Sequence, residues 1–257
     1  MSDSTVYLIT GANRGIGLEV LKLYASDARN ILIAGVRDPA GATEVNTLAK
    51  SSPAAIHVVK IVAGDEEGNQ AAAAEVAAKV GRVDVLWANA GISDVYKPVL
   101  QTTVADFESH WRVNVLGPVV LFQAFYPLLL KSTKTEKKFV ITSTAAGSIG
   151  IAGSLPFPVS AYGSSKAAIN FVAAKIHQEH GDKDKLVVIP IHPGMVSTDM
   201  GQHALKTMGV TDGVAIPGVE VITPVESATG LKNVIDNATF VANGGKFVDY
   251  AGKDLPW

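Results

Sequence analysis

The sequence predicts an α/β fold: a doubly wound, mainly parallel sheet with helices on both faces. Three observations carry that expectation. Short apolar runs alternate with helical segments along all 257 residues, which is the order of a parallel sheet with crossover helices. The runs are continuously apolar, as strands covered on both faces are. A glycine-rich turn, Thr10-Gly11-Ala12-Asn13-Arg14-Gly15-Ile16-Gly17, joins the first run to the first helix.

The elements follow in order. A strand over 6–10 leads into a helix over about 16–25. A strand at 31–34 precedes a helix at about 41–50, and a strand at 56–61 precedes an alanine-rich helix over 66–80. Further strands are expected at 83–87, 139–142 and 186–191, with a seventh at 246–248. The longest apolar run, 115–130, is broken by Gly117, Pro118, Gln123 and Pro127. It is shorter than the ~20 residues a bilayer needs, so it reads as a buried helix. We expect one domain over 1–257, with a cofactor part over about 1–145 and a catalytic and substrate-binding part over about 146–257.

Composition narrows the function. Hydrophobic residues are 47% and charged residues 18%, against about 25% charged in average chains, so most of the chain is ordered. A net charge of -2 gives no electrostatic footprint for nucleic acid or an anionic membrane. With no cysteine, disulfide frameworks, thiol nucleophiles and Cys-bearing metal sites drop out. Residues 1–5 do not resemble a secretory signal, and Asn237-Ala238-Thr239 reads as a chance acceptor match. The expectation is a cytoplasmic protein. His177 and His180 stand three apart without other clustered ligands and read as a solvated helix end, so no metal is expected. His192 reads as a packed residue.

The glycine turn is the first motif with chemistry. Glycine permits the sharp turn and the close backbone approach of a pyrophosphate. The helix N-terminus behind it presents free N–H groups and partial positive charge. Tyr162 and Lys166 stand four apart on a predicted helix and share a face. An ammonium beside a phenol favours the phenolate. Bringing a phenol from about 10 to about 7 would make it a general acid/base at neutral pH.

The G-x-x-x-G-x-G spacing with Thr10 before it, joined to Tyr162-Gly163-Ser164-Ser165-Lys166, resembles the short-chain dehydrogenase/reductase family in its compact single-domain Rossmann branch. The resemblance spans the chain. The runs 147–149 and 198–201 look like the carbonyl reductase and sniffer-like branch, and 88–93 resembles fungal ketoreductases of the norsolorinic acid type.

That resemblance implies a set of roles. Gly11, Asn13, Arg14, Gly15, Ile16 and Gly17 would hold the dinucleotide phosphates. Asn89, Ala90 and Gly91 match the family element that backs the adenosine ribose, and Val62 would meet the adenine through its backbone. Pro193, Gly194, Val196 and Thr198 would hold the nicotinamide carboxamide. Tyr162 would be the general acid, Lys166 its tuner and a ribose ligand, and Asn114 the anchor of a water near the lysine. Asn114 also reads as a buried amide holding a helix irregularity. The family shows two serines where Ser143 and Thr144 stand; Thr144 takes the carbonyl-polarising place, with Ser143 its rival.

For the cofactor, no carboxylate stands at the end of the second strand, and Arg37 is placed for a 2′-phosphate, with Arg14 adding a second positive charge. Asp38 is the contrary residue. NADP(H) is preferred and NAD(H) remains open. The expected reaction is reduction of a neutral, fairly hydrophobic ketone or aldehyde. The pocket walls would include Ile149, Ile151, Leu155, Pro156, Phe157, Met200, Leu205, Met208 and Val210. The alternatives are an NAD-dependent alcohol or sugar dehydrogenase of the same family and a non-catalytic dinucleotide sensor. The family also implies a homodimer or homotetramer through the helices at 117–130 and 161–180.

Overall fold

The computed structural model describes residues 4–155, 157–207 and 220–257. The first half alternates strictly: β1 (Thr5–Thr10), α1 (Gly15–Ala25), β2 (Asn30–Val36), α2 (Thr43–Ser51), β3 (Ala55–Lys60), α3 (Glu66–Lys79) and β4 (Val85–Ala88). Next come α4 (Val104–Trp111), α5 (Gly117–Leu130), β5 (Lys137–Thr142), the short α6 (Ile149–Ala152) and the long α7 (Ser160–Asp184). The remaining elements are β6 (Leu186–His192), β7 (Met195–Val196), α8 (Asp199–Thr207), β8 (Val221–Ile222), α9 (Pro224–Asn237), α10 (Phe240–Asn243) and β9 (Val248–Asp249).

Seven strands form one parallel sheet in the order β3-β2-β1-β4-β5-β6-β9. The chain winds outward from β1 to β3, returns to the centre at β4, and then winds the other way. The neighbours β1 and β4 therefore mark the point where the order reverses, and the crevice beyond their carboxyl ends is where such sheets bind ligands. The central strands are buried on both faces as expected, whereas in the edge strand β3 only Val59 is buried. Tyr7, Ile9, Trp87, Val187 and Ile189 pack on one side with α1 and α9. Val6, Leu8, Leu86, Phe139 and Val188 pack on the other with residues of α3, α5 and α7. The final strand is the short pair Val248–Asp249, which begins two residues later than expected.

The apolar run at 115–130 belongs to a longer helical stretch. Residues 104–130 are continuously helical, and by length and composition alone that stretch is enough to cross a membrane. Its buried side chains Leu121, Phe122, Phe125, Leu128 and Leu129 instead lie in the core against β4 and β5. At its middle, Arg112–Leu116 forms a π-turn. Such turns are a single extra residue accommodated within an α-helix, and they often sit at functional sites.

Candidate active site

Two threonines stitch the strand ends that frame the crevice. The Thr10 hydroxyl oxygen accepts from the backbone N–H of Asn89 (3.0 Å) and Ala90 (3.1 Å). The Asn89 amide donates to the Thr10 carbonyl at 3.0 Å and accepts from the Thr142 hydroxyl at 3.2 Å. The ends of β1, β4 and β5 are thus held by partly buried polar contacts, and the 89–91 element acts first as a staple of the sheet.

The glycine turn has the geometry its sequence demands. Gly11 and Gly15 have φ of 65° and 55°, in the left-handed region that side chains resist. At Gly17 the constraint is space: a β-carbon there would lie 2.4 Å from the Gly11 carbonyl oxygen and 2.6 Å from Asn89 Nδ2. α1 carries no side-chain cap and no acid in its first turn, so its leading N–H groups suit an anion. Asn13 and Arg14 are exposed on the turn, while Ile16 packs against the core.

The opposite lip is the segment after β6. The Pro193 carbonyl accepts from Ser227 at 2.7 Å, and the Val196 carbonyl from the Thr198 N–H at 2.7 Å. The Thr198 oxygen caps α8 through the Gly201 N–H at 3.2 Å, leaving its hydroxyl proton to donate. Gly194 sits at φ 86°. At the outer end, Arg37 is exposed just beyond β2. Asp38, the contrary residue, turns back on its own loop and accepts from the Ala40 N–H at 3.1 Å. The Val62 carbonyl is engaged by Asn69 Nδ2 at 2.8 Å. A pocket lined by Thr10, Ile61, Ala63, Asn69, Ala88 and Ala90 opens beside it. The tight turn and the uncapped helix end fit a dinucleotide.

The reactive groups gather where α7 begins. Lys166 is buried, and its ammonium donates to the Thr142 carbonyl at 2.7 Å. It stands 5.9 Å from the centre of the Tyr162 ring. Burial pulls the Lys166 ammonium down to about 8. The turn Ala145–Gly147 after β5 lies directly on α7: a β-carbon on Gly147 would meet Lys166 Cβ at 2.7 Å, and one on Gly163 the Ala146 carbonyl at 2.8 Å. That contact brings Thr144 to Tyr162, with a hydrogen bond between their side chains.

This packing separates the two candidate hydroxyls. Ser143 is buried and donates to Asn170 Oδ1 at 2.6 Å, inside the core. Thr144 faces Tyr162. We expect Ser143→Ala to keep turnover within about threefold while costing ~1–3 kcal/mol of stability, because it leaves the Asn170 acceptor buried and unpaired. Thr144→Ala should lower kcat/KM by about 10²-fold or more, with Thr144→Ser recovering much of the loss. Steady-state kinetics with urea unfolding of the same variants checks both.

Asn114 is fully buried in the π-turn. Its amide clamps Ile92, accepting from the N–H and donating to the carbonyl, both at 2.9 Å, and donates to the Ser165 hydroxyl at 3.0 Å. It holds the helix irregularity, and it flanks Gly91 together with the lysine. A β-carbon on Gly91 would lie 3.1 Å from Asn114 Oδ1 and 3.5 Å from Lys166 Nζ.

Two expectations are corrected. The Tyr162 phenol is pushed above its ordinary value, not below it. Burial is the main cause and the nearby Tyr96 adds to it, while the Thr144 hydrogen bond opposes them. The lysine ammonium is committed to a carbonyl rather than to the phenol. His180 is also not a solvated helix end: it packs on Phe122 and Tyr126 and lies 2.9 Å from Asp184. His192 is packed as expected, with burial holding its imidazole down at about 4.

Sequence reasoning missed other neighbours of Tyr162. His110 is fully buried, with its ring edge-on to Tyr162 at 6.4 Å between centres. Its Nδ1 donates to the Asp106 carbonyl at 2.8 Å, and Nε2 lies 3.3 Å from Asp94. Tyr96 donates to the Ser93 carbonyl at 3.0 Å, and its ring stands 5.9 Å from that of His203. No spacing rule marks these residues, because they converge from a loop and two helices. Of the expected walls, Ile149 and Met200 are exposed, and Ile151, Leu155, Phe157 and Leu205 are half-buried. Pro156, Met208 and Val210 lie outside the described residues.

The fold and this constellation define an oxidoreductase built on a dinucleotide-binding sheet. The family model for short chain dehydrogenase matches residues 5–209. An uncharacterized oxidoreductase of Schizosaccharomyces pombe, C663.06c, is 39% identical over 100% of this chain and 99% of its own. The short chain dehydrogenase gsfK of Penicillium aethiopicum is 34% identical over 97% and 98%. Among solved structures, the NADPH-bound carbonyl reductase from chicken fatty liver superposes with a TM-score of 0.86, at 27% identity and 99% coverage of each chain. Carbonyl reductase Sniffer of Drosophila melanogaster gives 0.84 at 25% identity, covering 99% of this chain and 100% of its own. The chain belongs to the short-chain dehydrogenase family.

Proposed function

We propose that this protein is an NADP(H)-dependent carbonyl reductase acting on a neutral, fairly hydrophobic ketone or aldehyde. The observation that carries the reading is the meeting of Thr144, Tyr162 and Lys166 beyond the end of β5, within reach of Asn114 and Gly91. The similarity to an NADPH-bound carbonyl reductase supports it. The glycine turn and α1 would hold the phosphates, the 89–91 element the adenosine side, and the 193–198 segment the nicotinamide carboxamide.

When bound, the cofactor supplies the hydride. The protein's own groups manage the oxygen. The Tyr162 hydroxyl donates the proton that the carbonyl oxygen takes up. Its raised pKa keeps that proton in place until the oxygen becomes basic enough to accept it. The Thr144 hydroxyl orients the same oxygen from the other side. Lys166 places a positive charge beside the phenol, favouring its ionised form once the proton has left. Asn114 and a water would return the proton from solvent. The apolar exposed side chains Ile149 and Met200 suit a substrate without charge. Exposed Leu130 and Phe171, on α5 and α7, support a homodimer or homotetramer through those helices.

NADP(H) is favoured over NAD(H) because Arg37 is exposed beyond β2, with no ion pair among the described residues, while the Asp38 carboxylate accepts from the Ala40 N–H of its own turn. The test is a panel of neutral ketones and aldehydes, assayed with NADPH and with NADH, using the parent and Arg37→Gln. The expected result is NADPH consumption by the parent and a roughly tenfold loss of NADPH preference in the variant. Equal use of both cofactors by the parent would favour the NAD-dependent alternative.

A further inference from the structure

The arginine of the glycine turn has a partner across the cleft. Arg14 Nη1 lies 3.6 Å from Asp199 Oδ2. Arg14 stands immediately before α1, and Asp199 opens α8. Their ion pair therefore joins the two lips that frame the crevice. The backbones are close there too: a β-carbon on Gly15 would lie 3.3 Å from the Thr198 methyl.

An acid in the first turn of α8 suits that helix, but neither helix accounts for the contact between the two side chains. Arg14 provides no side-chain cap for α1, and the oxygen that caps Gly201 in α8 is that of Thr198, not of Asp199. The Arg14 and Asp199 side chains are 65% and 82% exposed, so burial does not hold them together. Arg37, the other guanidinium expected to meet the cofactor's phosphates, forms no ion pair among the described residues. One of the two cations there thus carries a carboxylate and the other does not. A carboxylate beside an anion-binding guanidinium opposes the ligand by offsetting its positive charge and repelling the incoming one.

We propose that Asp199 is a competing ligand for Arg14, and so a specificity-determining residue that the 2′-phosphate of NADP(H) must displace. The proposal rests on the NADP(H) reading above. The exchange trades one anion for another at the same guanidinium, so Arg14 stays paired throughout and the carboxylate is released to solvent.

The test is NADPH and NADH binding, followed by cofactor fluorescence, in the parent, Asp199→Asn, Arg14→Gln and the double variant. No substrate is needed, and both positions are exposed, so the variants fold. Asp199→Asn should tighten NADPH binding about threefold to fivefold at low salt, the scale of an exposed ion pair. NADH should gain less. The gain should vanish in the Arg14→Gln background, since the two effects are coupled through one contact. It should also fade near ~1 M salt, where the Debye length is about 3 Å. A parent that binds neither cofactor would remove the cofactor reading itself. A parent that binds NADPH overturns this proposal alone if Asp199→Asn leaves affinity unchanged or weakened. An equal gain for NADH, or a gain that persists without Arg14, overturns it as well.

Discussion

Tyr162→Phe is expected to bind NADPH as tightly as the parent and to lose about 10²- to 10⁴-fold in turnover, the range for removing a positioned general acid. The substitution deletes one oxygen and keeps the ring. The edge contact with His110 and the packing of α7 therefore survive. Thr144 and Lys166 also keep their anchors, because the hydroxyl of Thr144 is held by the Ala146 N–H at 3.2 Å and the ammonium by the Thr142 carbonyl at 2.7 Å. A fall in turnover without a fall in cofactor affinity or thermal stability would separate proton delivery from scaffolding. A variant that kept turnover within a few-fold would remove Tyr162 from the chemistry and leave the site without its acid.

Gly17→Ala is the second large expected effect, and it acts through space. The added methyl would stand 2.4 Å from the Gly11 carbonyl oxygen and 2.6 Å from Asn89 Nδ2. Neither neighbour is the loose end of a flexible side chain. Gly11 is the backbone of the turn, and the Asn89 amide is bonded to the Thr10 carbonyl. Relief must come from moving the turn away from α1 or from breaking the staple between β1 and β4. Overpacking of this kind costs ~1–3 kcal/mol. The displaced turn would also misplace the N–H groups of α1, so NADPH affinity should fall about tenfold or more. Urea unfolding with and without NADPH separates the two losses. A variant with unchanged stability and unchanged affinity would contradict the close-packed turn.

Much of this was legible in the sequence because burial on both faces leaves a simple signature. β1, β5 and β6 read as unbroken apolar runs, and each lies within a residue or two of its expected place. The glycine turn was legible for a related reason: positive φ and contact with backbone each exclude a side chain, and only glycine satisfies both. The choice between Ser143 and Thr144 was not decided by spacing. It turns on which hydroxyl faces the core, and that depends on how the Ala145–Gly147 turn seats on α7. The helix irregularity read at Asn114 is a π-turn over Arg112–Leu116, a form that the residue types alone do not specify.

The direction of the Tyr162 shift was misjudged because the pairing rule weighed the lysine charge and not the burial of the phenol. The geometry reverses that weighting, since the Lys166 ammonium donates to the Thr142 carbonyl. His110 and Tyr96 left no motif, and Asp199 stood out only as part of the 198–201 run. Each becomes significant only when separate elements meet, as α4 and α7 do at His110 and Tyr162, or α1 and α8 at Arg14 and Asp199.

The central claim is hydride delivery to a carbonyl carbon beside Tyr162. The most direct measurement uses NADPH deuterated at its hydride position, incubated with the ketone and aldehyde panel, with mass spectrometry of the alcohols formed. The account predicts one deuterium on the carbinol carbon of at least one neutral, hydrophobic product from the parent protein, and a rate at least ~10²-fold lower from Tyr162→Phe. A protein that binds NADPH yet transfers no deuterium to any carbonyl in the panel, or transfers it equally well without the Tyr162 hydroxyl, would contradict it.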